Sequence, residues 1–292
     1  MISATRIFGI GHAPDIKVKI TDIPGRKREQ GTITKLETLP VFLDRESVKG
    51  KGIKVECIGH ITTKSQDLDF LHLSQELAVP GELEKNISFE FAFINVAKSF
   101  ESYYGNQVTL RYLIRVALAR KHLSNITQEA DILVYHYAQS KEDLIKKLKM
   151  EVGLEDSLHI EFEYNKSKYD LRDVVVGKIF FRLVRIKIKL MELWIVKRET
   201  IESTPNAFNE SEALIKYEIM DGEPFRGEFI PIRLFLGGLR LTPTFRDINK
   251  KFSVIYYLSL VLYDERNMGY YKQQEIVLYR RQVDDELVDT IY

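Results

Sequence analysis

Residues 158–190 read LHIEFEYNKSKYDLRDVVVGKIFFRLVRIKIKL, and the spacing inside this stretch decides the fold. Leu158, Ile160, Phe162 and Tyr164 alternate with His159, Glu161 and Glu163, the two-residue period of a strand with one dry and one wet face. Ile179, Phe181 and Leu183 repeat it. The parity then switches: Val184, Ile186, Ile188 and Leu190 are apolar on the other count, which predicts a bulge or a change of sheet near Leu183. Half-buried strands of this kind make antiparallel sheet.

Outward from there the same text recurs. Ile16, Val18 and Ile20 alternate with Lys17 and Lys19, and Ile53 and Val55 with Lys54 and Glu56. Ile87, Phe89, Phe91 and Phe93 follow the pattern, as do Leu110, Tyr112, Ile114, Val116 and Leu118 beside Arg111 and Arg115. The last strands are SVIYYLSLVLYD and YYKQQEIVLYR, joined by a turn from Asp264 to Gly269. Between Ala138 and Lys149 the text changes to AQSKEDLIKKLK, charged, with a short helical spacing at Leu144, Ile145 and Leu148, and the domain boundary is placed there. Many short strands in two halves predict an all-β chain of two β-sandwiches, residues 1–138 and 139–281. Residues 282–292, QVDDELVDTIY, form a short acidic tail expected to be disordered.

At 292 residues the chain is long for one core and comfortable for two, with average hydrophobic (45%) and charged (29%) content. Lys and Arg number 43 against 42 Asp and Glu, so the basic excess of a nucleic-acid binder is missing. A single cysteine, Cys57, excludes an internal disulfide. Met1 to Gly11 has one basic residue and no sustained apolar run, so a cytosolic protein is expected, and the sequons at Asn86, Asn125, Asn165 and Asn209 are read as chance. No window approaches eighteen apolar residues, which leaves peripheral association as the route to a membrane.

Chemistry has no visible home in the sequence. The six histidines form neither HExxH nor a pair at metal spacing, and no metal or cofactor is expected. His159, Glu161 and Glu163 share one strand face and are the nearest approach to a cation or catalytic cluster, but a solvated sheet face is the expected reading. GIG at 9–11 and GG at 237–238 extend to no nucleotide-binding motif, and Cys57 has no evident activating partner. Arg26, Lys27 and Arg28 in a loop, and Arg185, Lys187 and Lys189 along a strand face, are basic features able to meet anionic lipid, but a solvated charge stripe is the expected reading.

Residues 216–224, KYEIMDGEP, pose a different problem. Asp221-Gly222 with Pro224 marks an exposed turn, yet Ile219 and Met220 lead straight into it. Either they end a strand and fold inward, or another protein covers them.

Residues 71–120, LHLSQELAVPGELEKNISFEFAFINVAKSFESYYGNQVTLRYLIRVALAR, resemble the N-terminal domain of arrestin-type proteins. In the other half MEVGLEDSLHIEFEYNKSKYDLRDVVVGKIFFRLVRIKIKLMEL, KYEIMDG, PIRLFL, TPTFRDINKKFSV and YKQQEI resemble the arrestin-like subunit of retromer, the vacuolar protein sorting-associated protein 26 family, a likeness running from about residue 12 to 281. The resemblance implies a bilobed arrestin-like fold and a non-enzymatic cargo-sorting adaptor at the cytosolic face of endosomes. Its C-terminal lobe would bind retromer's helical-solenoid subunit, and through it, indirectly, the metallophosphoesterase-fold subunit. It implies the solenoid contact at Ile219 and Met220, with Arg233 and the loop Thr242 to Asp247, including Phe245, as lesser parts. It also implies a pocket at Val152 and Tyr271 for a cargo peptide, added as a strand near the lobe junction together with a sorting nexin.

Another arrestin-like trafficking adaptor is the alternative, although no two of the eight prolines are adjacent to supply a PPxY tail. An enzyme and an extracellular adhesion sandwich are the other classes weighed. One departure from the family stands at SVKGKGIKVECIGHI, where relatives carry a further strand and turn. An unpaired edge between Val48 and Ile61, and weak self-association through it, are expected from that gap.

Overall fold

The structure, a computed structural model, describes residues 15–21, 32–33, 36–44, 48–83, 89–94, 96–120, 124–138, 147–154, 157–202 and 207–281. Arg26 to Arg28, Leu144, Ile145 and the tail 282–292 lie outside the described residues. The fold is all-β and arrestin-like, two β-sandwiches in one chain, and the chain divides into compact units between His136 and Tyr137.

In the first unit the strands are β1 (Asp15–Thr21), β2 (Thr32–Ile33), β3 (Leu36–Asp44), β4 (Val48–Thr63), β5 (Asp67–Ala78), β6 (Gly81–Leu83), β7 (Phe91–Phe93), β8 (Val96–Ala97), β9 (Tyr103–Tyr104), β10 (Val108–Arg120) and β11 (Ile126–Ile132). One sheet runs β1-β3-β7, the larger runs β11-β10-β4-β5, and β2 pairs β8. The predicted alternation becomes the core: Ile53, Val55 and Cys57 of β4 and Ile114, Val116 and Leu118 of β10 pack with Phe91, Phe93 and Val96. Each such side chain contributes about 1.5–3 kcal/mol by leaving water.

The edge expected between Val48 and Ile61 does not exist. β4 is a single sixteen-residue strand lying between β10 on one side and β5 with β6 on the other, so its backbone groups are taken by neighbours from both directions. The shortened segment is absorbed at Gly52, whose φ of 119° and the register shift from Ala119–Gly52 to Arg120–Gly50 form a bulge. Self-association through that edge loses its ground.

The second unit holds β12 (Leu148–Leu154), β13 (Leu158–Tyr164), β14 (Lys168–Asp170), β15 (Val174–Val184), β16 (Ile188–Ile201), β17 (Phe208–Asp221), β18 (Phe229–Phe235), β19 (Phe245–Ile248), β20 (Phe252–Asp264) and β21 (Gly269–Tyr279). One sheet is ordered β12-β13-β15-β18; the other is β14-β21-β20-β16-β17, with β19 on β20. Ile160, Phe162, Ile179, Phe181 and Ile232 from the first are buried, as are Met191, Leu193, Tyr256, Leu258 and Ile276 from the second.

Both devices anticipated near Leu183 occur together. The ladder to β13 skips Arg182, and three residues later the chain has crossed into the other sheet as β16. The crossing also corrects the expected basic stripe: Arg185 and Lys187 belong to the connection, Lys187 pairs with Glu265 at 3.3 Å, and Lys189 alone lies on a strand, 3.4 Å from Asn267.

Candidate partner-binding surfaces

Among the described residues the sheet orders leave four open edges in the second unit, and they fall on two sides. β17 and β18 approach each other on one side; β12 is the opposite edge of its sheet. β14 covers β21 only from Val277 to Tyr279, so Gly269 to Ile276 pairs with β20 alone and is itself an edge.

Ile219 and Met220 lie at the end of β17, both half-buried. In the pairing with β16, Met191 faces Met220 and Glu192 faces Glu218, which makes Ile219 an extra residue in a β-bulge. Met220 lies across from the buried Met191, while Gly222, at φ 103°, turns the chain and donates its N–H to Lys189 O at 2.9 Å. A regular strand would send consecutive side chains to opposite faces; the bulge breaks that alternation at the last apolar pair of the edge strand, both half-buried. A second bulge falls at Leu214.

Arg233 is exposed on β18, the neighbouring edge, so the structure brings it to the same side as Ile219 and Met220. Phe245 does not belong with them. It is 5% exposed and its ring lies 6.2 Å from that of Phe252, because the pairing of β19 with β20 turns it into the core. The rest of the Thr242–Asp247 loop is tied to the sandwich as well: Thr242 N donates to Tyr256 Oη at 3.2 Å, and Thr244 Oγ1 accepts from Leu278 N at 2.9 Å.

Val152 is half-buried on β12 and Tyr271 is 71% exposed on β21, in different sheets. Both sit toward the end of the sandwich where β15 crosses to β16: Val152 faces Ile160 two pairs from Leu154–Leu158, and Tyr271 faces Val261 two pairs from Tyr263–Gly269. Tyr271 also walls a cleft of about 410 Å³ on the outer face of its sheet, with Trp194, Val196, Ala213, Val261 and Tyr263. Lys216 lies 4.0 Å from the Trp194 ring centroid there, a cation–π contact. Val152 is not among the cleft's lining residues. This cleft and the bulge at Ile219 are the features that sequence reasoning missed; Trp194, the only tryptophan, was the available signal.

The polar face of β13 is ion-paired. Glu161 accepts from Arg182 Nε at 2.9 Å and Nη2 at 2.8 Å, Glu163 meets Lys149 at 2.7 Å, and His159 Nε2 stands 3.6 Å from Glu161. The hydrogen bond from Arg182 is the main cause that holds the Glu161 carboxyl below its ordinary range. Three ligand atoms of Glu151, His159 and Glu161 lie within 4.8 Å of one another, but the cluster sits on a half-exposed sheet face and Arg182 already supplies its cation. Cys57 is buried, and burial pushes its thiol up to about 11, away from nucleophilic use. No helix is long and apolar enough to cross a membrane among the described residues.

A model of the family described as vacuolar protein sorting-associated protein 26 matches residues 11–267. The chain is 50% identical over 294 residues to vacuolar protein sorting-associated protein 26B-B of Xenopus laevis and 49% identical over 294 residues to protein 26B of Homo sapiens, covering 94% of this chain and 87% of each relative. It is 48% identical over 295 residues to vacuolar protein sorting-associated protein 26 of Caenorhabditis elegans, covering 94% and 82%. The 294-position alignments exceed the 292 residues of the chain although only 94% of it takes part, so the relatives carry residues that this chain lacks.

Proposed function

The chain belongs to the vacuolar protein sorting-associated protein 26 family, and on that footing we propose that it is a sorting adaptor with no catalysis of its own, the arrestin-like subunit of a retromer assembly at the cytosolic face of endosomes. Its relatives carry vacuolar protein sorting in their names. In this reading β17 docks on the helical-solenoid subunit, through which the metallophosphoesterase-fold subunit is joined indirectly. The observation that carries it is the bulge that sets Ile219 and Met220 at the end of the edge strand β17, both half-buried, with Arg233 exposed on the adjoining strand. An aliphatic anchor beside a flexible methionine suits an interface hot spot. Ile219→Asp combined with Met220→Asp abolishes capture of the purified solenoid subunit and leaves the thermal unfolding transition nearly unchanged. Normal capture by that double variant removes the site.

Cargo is taken on the other side. A sorting-signal peptide extends along the open edges of β12 and β21 with a sorting nexin beside it, its affinity coming from backbone hydrogen bonds and its selectivity from alternate side chains at Val152 and Tyr271. The support is that neither edge contains a bulge or a proline along these stretches. Titration of a cargo-tail peptide in the presence of the nexin tests it: Tyr271→Asp eliminates binding and Tyr271→Phe retains it. Equal affinity for the aspartate variant and the unaltered chain moves cargo elsewhere.

A further inference from the structure

The cleft on the outer face of the β21-β20-β16-β17 sheet exists because side-chain sizes are mismatched there. Ser259 and Ala213 are small where Trp194, Tyr263 and Tyr271 are large, and the difference leaves about 410 Å³ open to the surface. A depression of that volume, walled by rings, is the size of a ligand site.

Its charges are graded along β21. Lys216 Nζ rests on the Trp194 ring, and the Arg198 guanidinium lies 4.6 Å from the Tyr257 centroid, giving its N–H groups to neutral oxygens: Ser211 Oγ and Gln273 Oε1 at 3.2 Å and Tyr257 Oη at 3.3 Å. Among the described residues neither cation forms an ion pair. The acids of this face are Glu275, engaged by Arg246, Glu192, which accepts from Trp194 Nε1 at 2.9 Å, and Glu218 opposite Glu192. Arg198 pairs with Ile255, next to the Tyr256–Ile276 pair, whereas Glu192 pairs with Val261, which pairs with Tyr271. The end of the face nearest Tyr279 is therefore cationic and the end nearest Tyr271 acidic. A ligand matches it with carboxylates toward Tyr279 and neutral apolar groups toward Tyr271.

The segment that follows β21 has this order. Arg281 is fixed by its N–H to Asp170 Oδ2 at 2.7 Å, and the residues after it read QVDDELVDTIY, with Asp284, Asp285 and Glu286 first and Ile291 and Tyr292 last. With Gln282 and Val283 as the turn, Asp284 to Tyr292 extends about 26 Å, the same as Tyr279 back to Tyr271 along β21. Laid back over the face, the acidic run reaches the level of Arg198, and Ile291 and Tyr292 reach the ring walls. The tether holds the segment near its site at an effective concentration of about millimolar, so modest contacts suffice.

We infer that residues 284–292 dock in cis on the Trp194–Tyr271 cleft, carboxylates on Arg198 and apolar side chains among the rings. A peptide that uses Tyr271 must displace them, and this consequence alone rests on the cargo reading.

Trp194, the only tryptophan, reports on the cleft in the full chain without any cargo. Asp284→Lys/Asp285→Lys/Glu286→Lys is expected to shift its emission to the red and increase its quenching by acrylamide. Arg198→Glu does the same, and combining the two restores the original values, which a merely structural role of Arg198 would not allow. A synthetic QVDDELVDTIY peptide added to the triple lysine variant returns the protection saturably; if Arg198→Glu perturbs the unfolding curve, this titration decides.

Unchanged quenching in the triple variant overturns the inference, and so does a peptide that gives no saturable protection. Changes in both variants without recovery in the combination place the segment elsewhere and overturn it. Protection lost on dilution assigns the segment to the cleft of a second copy and overturns docking in cis. Cargo titration separates the two readings: several-fold tighter binding by the triple variant supports both, whereas equal affinity despite exposed Trp194 keeps the docking and removes Tyr271 from the cargo site.

Discussion

The two sides of the C-terminal sandwich both end in open strands, yet they expose their backbone differently. On the β12 and β21 side the ladders run without a register shift, and the outward donors of β21 are intact: Val277 N donates outward to Ser167 O, just before β14, which puts Gln273 and Glu275 on the same outward parity. On the β17 and β18 side the edge is interrupted three times, by bulges at Leu214 and Ile219 and by Pro231. Clean edges recruit strands, and interrupted ones repel them. The contrast suits one side to backbone recognition and the other to side-chain recognition, which is what the two proposed partners, held without competing for one ladder, would require.

The largest effect is expected where both sides are joined. β15 lies between them, and a Cβ at Gly177 would come within 2.6 Å of Glu163 O and 2.8 Å of Tyr164 Cδ1. Gly177→Ala should cost about 1–3 kcal/mol of stability, read as a lower melting temperature, and weaken both binding activities together. Loss on one side alone would show that the sides are mechanically independent.

Sharper is Gln273→Pro, which removes an outward donor without touching the β20 ladder. It should reduce cargo-peptide affinity about tenfold and leave the solenoid untouched. Gln273→Ala separates this from loss of the hydrogen bond that Arg198 donates to Gln273 Oε1 at 3.2 Å, and should bind peptide nearly normally. The converse is Pro231→Val, which restores a donor to β18: a modest, concentration-dependent self-association by light scattering is expected, and a strict monomer would mean that β18 is shielded by more than its proline.

The smallest effect concerns an edge of the first unit. On β11, burial raises the Glu129 carboxyl, but hydrogen bonds and charge from Arg115 and Arg111 outweigh it, and its pKa lies below the ordinary value. Its contribution to stability is therefore present above the unfolded-state pKa and is lost as pH falls through the folded one. Glu129→Gln should lower stability by about 1 kcal/mol or less near neutrality and flatten the acid limb of the pH profile.

Alternation was legible because it is local: Leu158 to Tyr164, Ile179 to Leu183 and the switch at Val184 follow from chemistry within a few residues. Edges were not, because they depend on partners far along the chain. β4 looked unprotected until β5, β6 and β10 closed on it, and Phe245 looked like loop until β20 drew it in. The resemblance supplied Ile219 and Met220 as a pair, but nothing in KYEIMDGEP distinguishes a bulge from the last regular residue before a turn.

The bulge at Ile219 has a consequence for how such a surface is gained or lost. One residue more on β17 than on β16 is an insertion that the fold tolerates without rewriting any other pair of the ladder. Excising Ile219 would straighten the strand and let Glu218 and Met220 follow one another in ordinary alternation. Under the proposed docking, the surface is modular at the scale of a single codon: a lineage would discard the partner and keep the sandwich, or acquire the partner by one three-nucleotide insertion.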